Sequence, residues 1–447
     1  MRGLNFDMGK KIVRILIVLL ILTLGGAGIF FVLNMDKLDS FSFSDKEIEL
    51  NVEQQETAKE IAAVTKDYQI PSPTPTPPPF EEYDIRLMAV GDDLLHMGVI
   101  NSGVQADGSY NFDHLYTGIA DALDMCDIKI INQETIFGGN ERGASGYPAF
   151  NSPTEVGDAL VKAGFNVILA ATNHVADMGV DGMKNAYAYW QTQPDALLCG
   201  LYDGSEPTEP RIPIIEAGGF KFAILNYTYS CNMASLPVGF ENYFGTLCPW
   251  DGSRMLDFNS LRQEVLDEIA LAKTMADIVI VCPHWGIEYT TTPTDVEKQM
   301  AMAMTEAGAD LIIGTHPHVP QPVEVVESPN GNRCLCYYSL GNFVSTQQQD
   351  ITMLEEMAWV VFHVTEEGIY LDEPRCGVIP MVDHYTYGPL KFQRVYYLAD
   401  YDQDLASQHG ILGWGGVNLS VDKLNEYTEQ IMGNYRMDRP DLDFVHK

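Results

Sequence analysis

Two histidines one residue apart stand just past a short apolar run: Gly314-Thr-His-Pro-His-Val-Pro-Gln321, following Ala309-Asp-Leu-Ile-Ile313. The run reads as a buried strand. Alternate residues of an extended segment point to the same side, and Pro317 biases His316 away from helical backbone. His316 and His318 can therefore aim both imidazoles at one point beyond a strand end. Imidazole is the commonest metal-ligating side chain. The competing reading separates the two, with one ring on a surface loop and the other satisfied inside the core.

The same pattern recurs along the chain. Ile85–Val90 runs into Asp92, and Asp127–Ile131 runs into Asn132 and Glu134. Asn166–Ala170 is followed by Asn173 and His174, and Asp277–Val281 by His284. Ligands of open α/β sheets bind outside the carboxyl ends of strands. Asp, Glu, Asn and His at five such ends make the composition of a metal centre. Each residue also has a local alternative. Asp92 can close an Asx turn, Glu134 and Asn173 can each cap the next segment of the chain, and His284 can be a buried ring bonded to backbone. Asp177 and Glu288 lie close in sequence to His174 and His284, where a carboxylate can orient an imidazole through its distal nitrogen. Trp285 and Tyr289 either flank a substrate or pack.

Positioning these ends requires alternating strands and helices. Helices are expected over Thr154–Ala163, Gly182–Trp190, Leu256–Met275 and Glu297–Gly308, and a hairpin turns at Gly218-Gly219 between Arg211–Glu216 and Phe220–Asn226. Further strands follow at Val323–Val326, Cys334–Ser339, Trp359–Val364 and Gly377–Pro380, and one more helix at Leu424–Met432. Helices alternate with strands first and strands dominate later, which describes a layered α/β domain whose sheet has antiparallel additions.

Composition narrows the partners. The 447 residues carry 27 basic and 62 acidic side chains, a formal charge of −35. Such a surface repels nucleic acid and disfavours anionic lipid head groups. The eight cysteines follow no zinc or redox spacing, and Cys334 and Cys336 share one strand face. Ile15–Leu33 is uncharged and apolar, long enough to span a hydrocarbon core. Arg2, Lys10, Lys11 and Arg14 precede it and Asp36 and Asp39 follow, so the positive-inside rule puts the N-terminus in the cytoplasm and the bulk of the chain outside. A cleaved signal peptide is the alternative. The expected organisation is a cytoplasmic tail (1–11), a transmembrane anchor (12–33), an acidic stalk with the polyproline spacer Pro71–Pro79 (34–82), a globular domain (83–385) and a C-terminal extension packed on it (386–447).

In order, Gly91-Asp92, Asn132-x-Glu134, Thr172-Asn-His-Val-Ala-Asp177, His284-Trp-Gly-Ile-Glu-Tyr289, Gly314–Gln321 and Ser339-Leu-Gly-Asn-Phe343 resemble the CapA/PgsA family of poly-γ-glutamate capsule synthesis proteins. The resemblance runs from about Ile85 to Phe343. That family is in turn similar to calcineurin-like metallophosphatases, which implies a four-layer α/β/β/α sandwich and a two-metal centre. Carried over by position, the resemblance implies Asp92, Glu134, Asn173, His284, His316 and His318 as metal ligands, with Glu134 bridging. It implies His174 as a catalytic acid or stabiliser, and Asp177 and Glu288 join it as candidate catalytic-site residues. Asp92 is followed by Asp93 and Leu94 rather than by the family-typical histidine two residues on, and His96 is the nearest one. The mixed ligands suit Mn, Fe or Zn better than Ca or Mg. The implied function is a membrane-anchored, extracytoplasmic protein of capsule-polymer synthesis, export or attachment, cleaving a phosphoester or a γ-glutamyl amide. Its partners would be the anionic polymer, the membrane and capsule synthase subunits. The alternatives are a non-catalytic polymer-binding or export subunit, and a general extracellular metallophosphoesterase.

Overall fold

The period-two burial of the first strand sets the layering. In β1 (Tyr83–Asp93), Ile85, Leu87 and Ala89 turn to one core while Met88 and Val90 turn to another. A strand apolar on both faces belongs inside a sheet covered on both sides. This computed structural model describes residues 80–233, 239–249, 257–386 and 393–446. The expected tail, the anchor at 12–33 and nearly all of the stalk and spacer lie outside them. Among the described residues no helix is long and apolar enough to cross a membrane.

β1 pairs in parallel with β2 (Ile128–Asn132), which leads on to β3 (Val167–Leu169) and β4 (Leu197–Cys199). On its other side runs the antiparallel β12 (Leu354–Thr365), followed by β14 (Gly377–Tyr385) and β15 (Gln393–Tyr397). The short β11 (Asn342–Val344) pairs with β1, and β13 (Gly368–Leu371) with β12. The second sheet has the order β5 (Ile214–Ala217), β6 (Phe220–Thr228), β7 (Ile278–His284), β8 (Leu311–Ile313), β10 (Arg333–Tyr337), β9 (Val323–Glu327). Its β6, β7, β8 and β10 are parallel. The antiparallel additions expected from the strand-rich second half are thus β12 to β15 and the β9–β10 pair.

Three cores separate four layers. One core joins the sheets face to face: Leu87, Ile130 and Leu169 meet Ile224, Ile280 and Ile313. A second lies between the larger sheet and helices α1 (Met97–Gly103), α2 (Asp113–Tyr116), α3 (Ala120–Met125), α4 (Glu155–Ala163) and α5 (Gly179–Trp190). The third packs α6 (Gln263–Met275) and α7 (Asp295–Ala307) on the smaller sheet. The order is α/β/β/α, as the resemblance implies. Beyond residue 385, the chain supplies β15 as well as α8 (Gln403–Gln408) and α9 (Val421–Ile431).

Two local features position the functional ends. A capping box opens α7, with Thr294 accepting from Glu297 N and Glu297 returning to Thr294 N. Such a cap contributes about 1 kcal/mol and fixes where the helix feeding β8 begins. Asn226, buried near the end of β6, accepts from Ala170 N and Ala171 N at 3.0 and 2.8 Å and donates to Cys282 O at 2.8 Å. It ties the segment after β3 in one sheet to β6 and β7 in the other. The helix expected from Leu256 starts only at Gln263. Asp257 accepts from Asn259 N at 2.8 Å and from the Ser260 hydroxyl, so an Asx turn occupies what periodicity reads as the first helical turns. All eight cysteines are buried and free.

Candidate metal centre

Parallel register lines up two rows of polar strand ends. In the larger sheet Asp92 is the partner of both Asn132 and Asn342. In the smaller sheet His284 is the partner of Thr228 and forms a bridge with Thr315. Face-to-face packing sets one row against the other. Within each sheet a glycine lets the neighbouring segment come close at this end. A Cβ on Gly91 would fall 1.9 Å from Gly341 O, and one on Gly314 would fall 2.0 Å from Tyr338 O.

The rows meet in a buried cluster. Asn132 Nδ2 donates to Asp92 Oδ1 at 2.8 Å. His318 Nδ1 lies 3.0 Å from Asp92 Oδ2, 3.1 Å from Asn342 Oδ1 and 3.8 Å from Glu134 Oε2. His284 Nε2 is 3.1 Å from Asn173 Oδ1 and 4.0 Å from Glu134 Oε1, while its Nδ1 rests 2.9 Å from Thr315 Oγ1. The His316 backbone N–H donates to Asp92 Oδ2 at 3.3 Å, and its ring centroid is 4.9 Å from that of His284. All six residues predicted as ligands are therefore brought together, each at most 3 % exposed. Potential ligand atoms of Asp92, Glu134 and His318 lie within 4.8 Å of one another, and so do those of Glu288, His316 and His318. Glu288 is exposed and lies beside the His316–His318 pair rather than His284.

Backbone strain gathers at the same place. His316, His318 and Tyr289 have φ of 102°, 60° and 63°. Residues with side chains rarely adopt such angles, and they persist where surrounding structure enforces them. The extended geometry expected around Pro317 gives way to this left-handed backbone, which still directs both rings inward. Tyr289 stands 6.1 Å from the His318 ring and is 41 % exposed, whereas Trp285 is packed, with its indole N–H on Tyr338 O.

The electrostatics call for positive charge. Burial pushes the Glu134 carboxyl well above the usual carboxylate range; His318 opposes the shift and Asp92, Glu288 and Asp177 reinforce it. Burial also works against a charge on His318, but Glu134, Asp92 and Glu288 outweigh it and raise its pKa to about 9. Burial favours a proton on Glu134 and the neighbouring carboxylates favour one on His318, and a bound cation would take over the part those protons play. His284 and His316 are driven well below the ordinary imidazole value by burial and then by neighbouring imidazoles. They are neutral with a lone pair to give, as metal ligation requires. Glu134 Oε1, Glu134 Oε2 and His316 Nδ1 are buried without a hydrogen-bond partner. Buried donors and acceptors are almost always satisfied, so these orphaned atoms fit a divalent ion.

Beside the cluster, His174 Nδ1 donates to Asp177 Oδ2 at 2.8 Å, and Phe150 N donates to the same oxygen at 2.7 Å. Asp177 thus holds the His174 ring, as a carboxylate paired with an imidazole does. Several neighbours have no signature of their own in the sequence. Asn342 sits within the Ser339–Phe343 block, but only its register with Asp92 reveals its place. Thr315 and Asn132 support His284 and Asp92, and the Tyr229 ring lies tilted 4.7 Å from that of His316. Strand-end position pointed to Asn132; nothing local points to Thr315 or Tyr229.

A four-layer α/β/β/α domain with Asp, Glu, Asn and His converging at its strand ends defines the class. The chain belongs to the family described as bacterial capsule synthesis protein PGA_cap, whose family model matches residues 86–347, more than half of the sequence. It is similar to the PGA biosynthesis protein CapA of Bacillus subtilis, 33% identical over 204 residues, which are 46% of this chain and 48% of that protein. It is also similar to the capsule biosynthesis protein CapA of Bacillus anthracis, 29% identical over 210 residues, 47% of each. The chain spans about half the length of these curated relatives. Among solved structures it is similar to the calcineurin-like phosphoesterase YfkN of Bacillus subtilis, with a TM-score of 0.36 and 12% identity, covering 78% of this chain and 97% of that one. That likeness is too distant to carry a functional argument.

Proposed function

We propose that this chain is a membrane-anchored, extracytoplasmic member of its family that handles poly-γ-glutamate, or a related anionic capsule polymer, through a two-metal hydrolase-like centre. The observation that carries this reading is the pair of fully buried Glu134 oxygens that make no hydrogen bond, beside His316 Nδ1, which makes none either, between Asp92, His284 and His318. Asp92, Glu134, Asn173, His284, His316 and His318 would hold two ions of Mn, Fe or Zn. When bound, such ions supply Lewis acidity at the scissile bond and offset the local negative charge. That charge matters for a chain of −35, which would otherwise repel a polycarboxylate.

The protein's own groups do the rest. Asp177 fixes the proton on His174 Nδ1, which leaves Nε2 to accept or return a proton at the leaving group. Asn132, Thr315 and Asn342 hold Asp92, His284 and His318 in place. Glu288 and Tyr289 stand at the mouth, where a polymer would pass. The bond cleaved is a phosphoester or a γ-glutamyl amide, and capsule synthase subunits at the membrane are the expected partners. The full-length protein, loaded with Mn, Zn or Fe, is to be incubated with poly-γ-glutamate and with phosphomono- and diesters. Metal-dependent shortening of the polymer supports the reading. Metal-dependent polymer binding without cleavage replaces hydrolysis with the role of a binding or export subunit. Phosphoester turnover without any effect on polymer contradicts the capsule assignment.

A further inference from the structure

Phe150 separates two imidazoles. Its ring meets His174 edge-on at 4.7 Å between centroids, and His96 edge-on at 5.4 Å. The two rings are held in opposite senses. His174 gives its Nδ1 proton to Asp177 Oδ2. His96 Nδ1 instead accepts the backbone N–H of Thr346 at 3.3 Å. A backbone amide can only donate, so Nδ1 of His96 carries a lone pair and the proton of the neutral ring resides on Nε2. His96 also starts α1, with its carbonyl accepting from Ile100 N at 3.0 Å, and Thr346 lies just beyond β11, so both ends of this contact are anchored.

We propose that His96 is a hydrogen-bond donor of the site, presenting Nε2–H to an anionic oxygen of the bound substrate, and that it is not a metal ligand. The ligand class is an oxyanion, carboxylate or phosphoryl. A metal needs an imidazole lone pair, and the one lone pair of His96 is committed to Thr346. Burial, followed by the nearby His318 and His174, lowers its pKa to about 4, in keeping with a neutral ring. Two imidazoles of opposite tautomer flanking one aromatic ring divide the work, one accepting or returning a proton and the other stabilising charge. This inference deepens the proposed function and rests on it for the identity of the ligand, but not for the tautomer.

The test has two arms on the full-length chain. The first is nitrogen-15 NMR of histidine-labelled, metal-free protein near neutral pH, with the His96 signals assigned by their loss in His96→Gln. The expected pattern is a proton on Nε2 and none on Nδ1; a proton on Nδ1 overturns the proposal. This arm needs neither metal nor turnover, so it stands or falls apart from the proposed function. The second arm measures binding of inorganic phosphate to metal-loaded protein. His96→Ala should weaken it roughly tenfold or more, the loss expected for a hydrogen bond to a charged group. His96→Gln, whose amide can donate, should recover part of the loss, and metal content should stay constant in both. Loss of metal together with phosphate would make His96 a ligand, and unchanged phosphate affinity would remove it from the site; either result overturns the proposal.

Discussion

His318 Nδ1 and Asp92 Oδ2 lie 3.0 Å apart although 226 positions separate the two residues in the chain. Asp92 ends a strand of the larger sheet, and His318 lies just past a strand of the smaller one. Their contact exists only when the two sheets are packed face to face. The centre is thus a product of the sandwich as a whole.

The support beneath His284 gives the first prediction. Thr315 Oγ1 is 2.9 Å from His284 Nδ1. Thr315→Val keeps the shape and removes the hydroxyl. Partners of this kind are worth about 10- to 100-fold in metal affinity. Competition with a chelating dye should show that loss with an unchanged melting temperature. Unchanged affinity would mean that Thr315 does not orient the ring.

The division of labour between ligands and His174 gives the second. His174→Ala and Asp177→Asn should retain the wild-type metal content. Each should lower turnover by about 10²- to 10⁴-fold, the range for a positioned acid or base. Metal analysis and steady-state rates on one preparation decide the matter. Metal loss in His174→Ala would place that ring among the ligands.

Asn226 gives a stability prediction. Asn226→Ala removes the partner of Ala171 N and of Cys282 O in a buried setting, while Ala170 N keeps Cys199 O at 3.0 Å. Each orphaned group costs about 1–3 kcal/mol, so the variant should lose roughly 2 kcal/mol or more. Urea unfolding should show a lower midpoint with an unchanged slope. A shift smaller than the error of the midpoint would show that water replaces the amide.

How far these sites were legible in the sequence depends on how local each signal is. The strand-end pattern reached Asp92, Glu134, Asn173, His284, His316 and His318, because a strand terminus and its polar residue are adjacent in the chain. Asn226 escaped because its partners, Ala170 and Ala171, are 56 and 55 positions away and lie just past a strand of the other sheet. Asn342 and Thr315 escaped for the same reason, since register alone puts them beside Asp92 and His284. Long apolar strands such as β7 were readable, and the three-residue β3 and β8 showed through the polar residues that follow them, whereas β4 and β11, equally short, were not recognised. The start of α6 failed because an Asx turn at Asp257 competes locally with the helix.

Asp84 gives a pH prediction away from the site. The Arg375 guanidinium beside it and the hydrogen bond from His363 lower its pKa to about 2, against the opposing effect of burial. A depressed carboxylate contributes stability above its unfolded value of 3.8, and that contribution is lost as pH falls towards 2. The pKa of His363 is raised, first through Asp84, so its own contribution is present at low pH and fades as pH rises through the folded value. The margin in melting temperature between wild type and Asp84→Asn should therefore be widest near pH ~5 and shrink in both directions. A margin that grows as pH drops from ~4 to ~2 would contradict the assignment.

The central claim is that residues from both sheets build a centre for divalent ions, and elemental analysis tests it most directly. Full-length protein, stripped with chelator, incubated with Mn, Zn or Fe and then desalted, should retain about two ions per chain. The same treatment of Glu134→Gln and His318→Ala should leave markedly less. Wild-type protein that stays metal-free after all three incubations would contradict the account, and so would variants that retain as much metal as the parent.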